Sequence, residues 1–499
     1  MLREANTKYG RVRGITAADP RITAFKGIPF AAPPVGNLRW SAPIPPKKWE
    51  GVRDCLEFAP ISMQSIPGVN LEQIYSREWN VDPAIPMSED CLYLNVWTPA
   101  KSVDDNLPVY VWYFGGALQW GNTAEMEFDG ERIARRGIVV VTINYRINLF
   151  GFFAHPEQFE ENPDAPANFG HLDQQFGLKW TYENIREFGG NPENITIGGQ
   201  SAGGGSVMTQ LNCLDNKKYI KRAVVESGVF LLPYRESPFL SLEEAKKQSV
   251  SFLDYLGVKT LKEARELPAE YLRDKNDEYG AMWWTVTDNI FQKNHYMDSL
   301  FAGKLIDVPI FLGTTTNEFL EVPLVSSQVE LENMSKERFK EHSQEFLHLI
   351  GEGKSNFEKM IEKSCVNSMH LAVAKALEIF HRTGKENPCY LYEFGPFIPG
   401  EDNPGAFHSS DLWFFFETLA KCSRPFTGMH YDLARKMCNY LCNFIKNGDP
   451  NGFDSDGTPM DTWKPYTQEE KDCMGFYDSV QQTKLQTTEL EDFLLRIIN

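Results

Sequence analysis

The stretch around Ser201 combines the residue types that nucleophilic catalysis needs. The apolar, β-branched run 195–197 leads into Gly199-x-Ser201-x-Gly203, and a segment typical of a helix follows as far as residue 211. A strand, a sharp turn and a helix in this order expose a serine hydroxyl and aim the next backbone N–H groups at whatever it attacks. The motif is short and also fits a glycine-rich surface loop. The strand before it and the helix after it favour a catalytic serine.

A turn of small residues, Gly115-Gly116-Ala117-Leu118, directly follows the apolar run 108–114. Acyl transfer creates an oxyanion, and preorganised backbone N–H groups are its usual stabiliser. Small side chains let a substrate carbonyl approach such a backbone closely. An ordinary glycine turn explains the same residues equally well. With Ser201 further along the chain, we expect the turn to supply oxyanion donors, and we call residues 115–118 the oxyanion turn.

A nucleophilic serine needs a base, and the base needs an acid that orients it. Glu318 comes just after the apolar run 308–312, and His408 precedes an aromatic segment that predicts a helix start. Carboxylates at other strand ends are alternatives to Glu318, and His381 and His430 are alternatives to His408. The residues alone leave this assignment open.

Apolar strand-like and amphipathic helix-like segments alternate along the chain. The patterns predict strands at 108–114, 138–145, 195–200, 223–226, 308–312 and 389–394, and helices at 172–188, 336–350, 355–383 and 428–447. Such alternation is typical of a mostly parallel sheet with helices on both faces. The predicted fold class is therefore α/β.

The composition limits the classes of function. The chain has 499 residues, of which 42% are hydrophobic, and a formal net charge of −18. This acidity argues against nucleic acid and anionic membranes as partners. Nine cysteines form no C-x-x-C pair and the histidines are scattered, so we expect no metal and no cofactor. The chain shows no apolar leader or membrane span, and we expect a cytoplasmic location.

Blocks of sequence along most of the chain carry a resemblance to a known family. The chain resembles the type-B carboxylesterases, the cholinesterase/carboxylesterase family of α/β-hydrolases, and most of all their bacterial para-nitrobenzyl-esterase-like branch. The matching blocks are 25–40, 89–95, 144–146, 168–175, 188–192, 199–203 and 226–228, together with those around Glu318 and His408. The resemblance implies one α/β-hydrolase domain over residues 1–499, with helical insertions between about 235–300 and 325–385.

The resemblance also implies roles for individual residues. Ser201 matches the nucleophile, His408 the general base and Glu318 the acid that orients it. The implied oxyanion donors are the backbone N–H groups of Gly116, Ala117 and Ala202. Three further residues match positions next to this group: Gln200, Ser227 and Asp411. For these residues, a structural role is at least as good an interpretation as a catalytic one.

The chain departs from the family pattern at several of these positions. Gln200 replaces the usual Glu and so removes a negative charge beside Ser201. The other departures are Phe114 for His or Tyr, Ala117 for Gly, Asp411 for Glu, and Ser62 near the position of the cysteine that usually pairs with Cys91. The missing disulfide partner agrees with a reducing compartment.

Four tryptophans are candidates for the substrate pocket. Trp283 and Trp284 precede a segment where the family places its acyl pocket, Trp120 follows the oxyanion turn, and Trp413 follows His408. An ordinary core position is an equally good interpretation for any one of them. The hypothesis is that at least one lines an aromatic pocket.

The resemblance implies a serine carboxylic-ester hydrolase that forms an acyl-enzyme on Ser201. Its partner is a small-molecule ester, and the oligomeric state stays open. An amidase or a transacylase would use the same three residues, because the choice of leaving group depends on pocket geometry. A non-catalytic, cholinesterase-like binding protein is a poorer alternative, since all three positions are occupied.

Overall fold

A large mixed β-sheet carries the residues that the sequence singles out. A computed structural model describes residues 1–79, 81–165, 167–235 and 239–498. Residues 236–238, inside the first predicted insertion, lie outside the described residues. The strands are β1 (Glu4–Thr7), β2 (Gly10–Arg13), β3 (Ile15–Thr16), β4 (Thr23–Pro29), β5 (Val52–Asp54), β6 (Tyr93–Thr98), β7 (Leu107–Tyr113), β8 (Val139–Ile143), β9 (Gly190–Gln200), β10 (Arg222–Glu226), β11 (Leu240–Ser241), β12 (Val286–Thr287), β13 (Ile310–Thr315), β14 (Leu320–Glu321), β15 (Val366–Asn367), β16 (Cys389–Phe394), β17 (Asp472–Phe476) and β18 (Val480–Lys484).

Helices follow most of the strands, and many lie in the two stretches 242–301 and 328–382. The helices are α1 (Ile74–Glu78), α2 (Glu131–Ala134), α3 (Asn148–Phe152), α4 (Pro156–Glu161), α5 (Phe169–Asn184), α6 (Ala202–Asn212), α7 (Leu242–Leu256), α8 (Leu261–Glu266), α9 (Ala269–Tyr279), α10 (Tyr296–Phe301), α11 (Gln328–Phe339), α12 (Ser343–Leu349), α13 (Phe357–Lys363), α14 (Ser368–Arg382), α15 (Leu412–Phe415), α16 (Gly428–Asn447) and α17 (Glu489–Ile497).

The main sheet has eleven strands in the order β18-β17-β16-β13-β10-β9-β7-β8-β6-β4-β3. The strands from β17 to β8 in this order pair parallel, and antiparallel strands flank them on both sides. Parallel strands place their carboxyl ends at the same edge of a sheet, where ligands bind in open α/β folds. The predicted mostly parallel sheet is confirmed.

Alternate residues of the central strands enter different hydrophobic cores. On β7, Tyr110 and Trp112 belong to the core that includes Phe444 of α16, whereas Val109 and Val111 belong to the core that includes Val207 of α6. A strand with apolar side chains on both sides is buried on both faces. The helices therefore cover both faces, as the sequence predicts.

Two of the predicted helices are wrong in their extent. The segment 355–383 forms α13 and α14, which are separated by the short strand β15. The break occurs because the Asn367 side chain accepts a hydrogen bond from the His370 N–H and so starts α14 anew. The segment 336–350 is also divided: α11 ends at Phe339, Lys340 has a φ of 48°, and α12 starts at Ser343.

Candidate active site

Ser201 stands at the tip of a strained turn between β9 and α6, residues 199–203, which we call the elbow. Its φ and ψ are 56° and −126°, a conformation that non-glycine residues rarely adopt. A Cβ on Gly203 would lie 2.1 Å from the Tyr113 carbonyl oxygen, and one on Gly199 would lie 2.3 Å from the Gly203 carbonyl oxygen. The two glycines of the motif are thus required by close backbone contacts. The Ser201 N–H donates to the Glu226 carbonyl at 2.9 Å and fixes the turn to β10.

The turn after β7 packs directly against this serine. A Cβ on Gly115 would lie 2.8 Å from the Gln200 carbonyl oxygen and 3.2 Å from Ser201 Cβ. Gly116 and Ala117 both have positive φ, 104° and 54°. Within the described part of the chain, no acceptor takes the backbone N–H groups of Gly116, Ala117 or Ala202. These donors are therefore available to an oxygen of a bound ligand.

Glu318 and His408 are brought together beside the elbow. Glu318 follows β13, and its carboxylate contacts His408 Nδ1. The same carboxylate accepts hydrogen bonds from the Thr315 N–H at 3.0 Å and from the Ser227 hydroxyl. Burial opposes its ionisation, but the imidazole and these two donors together lower the pKa of Glu318. A carboxylate that stays ionised can orient the imidazole.

The second ring nitrogen of His408 faces Gln200. Gln200 Nε2 lies 3.3 Å from His408 Nε2, and both side chains are buried. Among the described residues, no hydrogen bond joins Ser201 Oγ to His408. The structure thus brings Glu318 and His408 into contact and places Ser201 next to them through its neighbour Gln200.

Two aromatic residues that the sequence analysis missed hold the His408 loop. The Phe319 ring lies 4.5 Å from the His408 ring between centroids, and Tyr75 on α1 donates from its hydroxyl to the His408 carbonyl at 3.2 Å. Phe319 directly follows Glu318, and this adjacency was the available signal. No pattern in the sequence connects Tyr75 with a histidine more than three hundred residues away.

The alternative histidines lie elsewhere. His430 Nδ1 accepts a hydrogen bond from the Thr427 N–H, and His430 Nε2 contacts the Phe397 carbonyl at 2.9 Å. His381 is exposed in the last turn of α14. Neither histidine has a contact with Glu318 or with the Ser201 turn, so of the three candidate bases only His408 adjoins the elbow.

Two further buried carboxyl groups, those of Asp411 and Glu226, lie near His408. Asp411 accepts a hydrogen bond from the Tyr392 hydroxyl at 2.8 Å, while its other oxygen and both carboxyl oxygens of Glu226 have no partner in the described structure. Burial raises the pKa of Glu226 well above its ordinary value and also raises that of Asp411. Both groups thus favour the neutral acid.

A small cavity of about 50 Å³ adjoins the oxyanion turn. Its lining combines aromatic and acidic side chains with the turn and the elbow: Tyr75, Trp79, Gly115, Gly116, Trp120, Gly121, Glu125, Glu127, Phe128, Gln200, Ser409 and Leu412. Glu127 is fully buried, and its carboxyl oxygens have no partner among the described residues. Burial raises the pKa of Glu127 and of Glu125. No sequence pattern indicated this acidic pair.

The four candidate tryptophans occupy different environments. Trp120 is 42% exposed and lines the cavity. Trp283 is 2% exposed, and its indole N–H donates to Asn276 at 2.6 Å; Trp413 is 1% exposed and belongs to the same hydrophobic core. Trp284 is half-buried, with its ring 6.4 Å from that of Phe239. Of these four, Trp120 is the one in the cavity lining.

The departures from the family pattern have local explanations. Phe114 stacks on Tyr145 at 4.1 Å between ring centroids, and the Tyr145 hydroxyl donates to the Phe114 carbonyl at 2.6 Å. This contact holds the start of the oxyanion turn by packing. Cys91 is fully buried next to the Ser62 hydroxyl, and the nine cysteines are free thiols. Ser62 thus occupies the place where a disulfide partner would stand.

The described residues form neither a candidate metal site nor a candidate membrane span. Within the described ranges, no group of three or more His, Cys, Asp or Glu side chains could hold a metal ion. The helices described for the chain include none that is long and apolar enough to cross a membrane.

Comparisons with known proteins show the family of the chain. The sequence profile of the "Carboxylesterase family" matches residues 2–493. The chain belongs to the carboxylesterase family. It is similar to cocaine esterase of Homo sapiens, with 32% identity over 504 residues that cover 93% of this chain and 86% of that protein. It is also similar to para-nitrobenzyl esterase of Bacillus subtilis (strain 168), with 31% identity over 503 residues that cover 94% and 93%.

Solved structures place the chain in the same family. A structure of PNB esterase aligns with a TM-score of 0.82 and 28% identity, over 99% of both chains. The resemblance to the para-nitrobenzyl esterases and the α/β-hydrolase fold are therefore confirmed. As a carboxylesterase, this enzyme hydrolyses carboxylic esters.

Proposed function

We propose that this carboxylesterase acts through Ser201, His408 and Glu318 and forms an acyl-enzyme on Ser201. The observation that supports the proposal is the contact of an ionised Glu318 with His408 Nδ1, on a histidine whose other nitrogen faces the Ser201 turn. The backbone N–H groups without acceptors belong to the turn that packs against Ser201 and to Ala202, the next residue in the chain. The candidate base, nucleophile and oxyanion donors thus come from adjoining segments.

In the proposed mechanism, Ser201 Oγ attacks the ester carbonyl carbon while His408 Nε2 accepts its proton. The carbonyl oxygen becomes an oxyanion and is stabilised by the N–H groups of Gly116, Ala117 and Ala202. His408 then donates the proton to the leaving alcohol oxygen, and the carbon–oxygen bond to the alcohol breaks. Water attacks the acyl-enzyme by the same route and releases the acid and free Ser201.

Glu318 supports both halves of this reaction without exchanging a proton. Its carboxylate keeps the proton of neutral His408 on Nδ1, so that Nε2 has a free lone pair. It also stabilises the imidazolium that forms during attack. Both effects require a negative charge, which the donors around Glu318 maintain.

The decisive experiment compares Ser201→Ala, His408→Ala and the double variant with His381→Ala as a matched histidine control. We expect each single variant to lose at least roughly 10³-fold in kcat on a short-chain para-nitrophenyl ester. The double variant should be little worse than either, because the two residues act as a unit. His381→Ala should keep near-parental turnover. A folded His408→Ala variant with near-parental kcat would show that the base is elsewhere.

Trapping the intermediate tests the covalent step directly. Rapid quenching with the para-nitrophenyl ester should give a protein whose mass has increased by one acyl group, located on the peptide that contains Ser201. Ser201→Ala should show no such adduct. An adduct on another residue would contradict the assigned nucleophile. Parallel rates on a phenyl ester and on the anilide of the same acid measure the preference for ester over amide.

A further inference from the structure

The neighbour of the nucleophile, Gln200, makes a contact that the reaction must break. Its side-chain nitrogen lies 3.3 Å from His408 Nε2, the atom that has to take the Ser201 proton. An amide nitrogen can only donate a hydrogen bond, so Nε2 acts here as the acceptor. The contact therefore requires the neutral imidazole with its proton on Nδ1, where Glu318 receives it.

In this orientation, the amide nitrogen of Gln200 cannot form a hydrogen bond with a protonated His408 Nε2. Once His408 carries a proton on Nε2, an N–H donor would face an N–H donor. A Glu at this position could only accept, and it would favour the protonated form. In the observed orientation, Gln200 thus favours the neutral form of His408.

We infer that Gln200 is a positioning residue that holds His408 in its neutral, Nδ1-protonated form and thereby extends the activity of this enzyme to lower pH. The inference rests on the proposed function of Ser201 and His408. It assigns to Gln200 the control of the base rather than a contact with the reacting atoms.

The backbone around Gln200 fixes the position of the amide. Gln200 ends β9 and pairs with Glu226 of β10, so its main chain cannot shift away. Its side-chain oxygen would lie 3.2 Å from a Cβ on Gly115, a distance tighter than most real contacts. Because residue 115 is a glycine, the amide has the space of one methyl group beside the cavity.

Several other charged or titratable groups face His408 or its neighbours and contribute to its protonation. Glu318 contacts Nδ1, and the negative charge of Glu318 is constant as long as the donors of Ser227 and Thr315 remain. The remaining groups come from every element packed around the loop: Tyr75 of α1, Glu125 and Glu127 at the cavity, Glu226 of β10, Tyr392 of β16 and Asp411. A substitution at residue 200 leaves all of them in place.

The test measures kcat/KM against pH on a neutral aryl ester for the parent, Gln200→Met and Gln200→Glu. Gln200→Met keeps the length of the side chain and removes the donor, so the acidic limb should move up by about half a pH unit. Gln200→Glu places a carboxylate beside Nε2 and should move the limb up by at least about one pH unit. Gln175→Glu is the matched control, because that amide on α5 contacts Cys213 and Asn216. Its acidic limb should stay where the parent's is.

A second readout does not depend on turnover. The low-field NMR signal of the proton between His408 Nδ1 and Glu318 should titrate at the same shifted pH in each variant. An acidic limb that moves down in Gln200→Met would mean that the amide oxygen faces Nε2, and it would overturn the inference. An unmoved limb and signal in Gln200→Met would overturn it as well, because that variant lacks the donor. If instead Ser201→Ala keeps the parental activity, the proposed function itself fails.

Discussion

Three buried glutamates near the same serine differ in the charge that they carry. Glu318 has three partners, His408, Ser227 and Thr315, and its pKa is lowered. Glu226 and Glu127 are equally buried, their carboxyl oxygens have no partner in the described structure, and their pKa values are raised. Burial is common to all three, so their neighbours decide which carboxyl group is ionised. The imidazole and two donors lower the pKa of Glu318, whereas the nearby carboxyl groups of Asp411 and Glu125 further raise the pKa values of Glu226 and Glu127. Among these three glutamates, the negative charge is thus confined to Glu318.

The largest effect should come from Glu318→Gln. The amide keeps the volume but removes the negative charge, and it can favour the wrong tautomer of His408. We expect kcat to fall by roughly 10³- to 10⁴-fold, with KM less affected. Stopped-flow or steady-state kinetics on a para-nitrophenyl ester measure the loss. A loss below tenfold in a folded variant would mean that this carboxylate has no role in the reaction.

A smaller loss is expected when one donor to Glu318 is removed. Ser227→Ala deletes a hydroxyl that is bonded to a charged group, an interaction typically worth about 1.5–3 kcal/mol. We expect kcat to fall about tenfold. The pKa of Glu318 should rise. On acidification, the variant should therefore lose activity at a higher pH than the parent does. Ser335→Ala, which removes a buried hydroxyl of α11 that contacts Ser343 and the Glu332 carbonyl, is the matched control. Equal rates for Ser227→Ala and the parent would contradict the donor argument.

Glu127→Gln tests whether Glu127 is a neutral acid in the folded enzyme, and the measured quantity is the free energy of unfolding. The pKa of Glu127 is raised in the folded state. As the pH rises above the pKa that this residue has in the unfolded chain, the unfolding free energy of the parent therefore falls, by up to about 1.4 kcal/mol per pH unit. The amide does not titrate. The difference in unfolding free energy, variant minus parent, should therefore increase between pH 5 and pH 7.5 in urea titrations. A difference that is constant with pH would show that Glu127 is ionised in the folded enzyme.

The smallest effect is expected for Glu226→Gln. This carboxyl group is one residue from Ser227, and its main chain fixes the Ser201 turn, yet its side chain favours the neutral acid. Exchanging a neutral acid for a neutral amide of the same shape should leave kcat at pH 7 within about twofold. A decrease comparable with that of Glu318→Gln would mean that two negative charges, and not one, act on His408.

The sequence predicted the local structures around the candidate site that depend on short-range patterns. The elbow at Ser201 and the turn at Gly116 each follow an apolar strand, so local residues define them. The parallel sheet then brings strand ends together, and Glu318 was found at one of them. The choice of His408 depended on the family resemblance, because a loop histidine has no local pattern.

The contacts around His408 could not be predicted from such patterns. Phe319 packs on the imidazole, and Tyr75 reaches the His408 carbonyl from a helix far earlier in the chain. The burial of Glu127 depends on how the loop after the oxyanion turn folds back on the cavity. Likewise, the sequence analysis missed the break that divides the predicted helix 355–383. The capping role of Asn367, which causes this break, is visible only in three dimensions.

The exposure of Trp120 gives the enzyme an optical reporter of its candidate active site. The chain has 11 tryptophans, and among the described residues Trp120 is the one whose side chain counts as exposed. A water-soluble collisional quencher should therefore reach this indole in preference to the others. Because Trp120 also lines the cavity beside the oxyanion turn, a bound ligand should shield it. Fluorescence quenching can thus follow occupancy of the site in real time, without a labelled substrate.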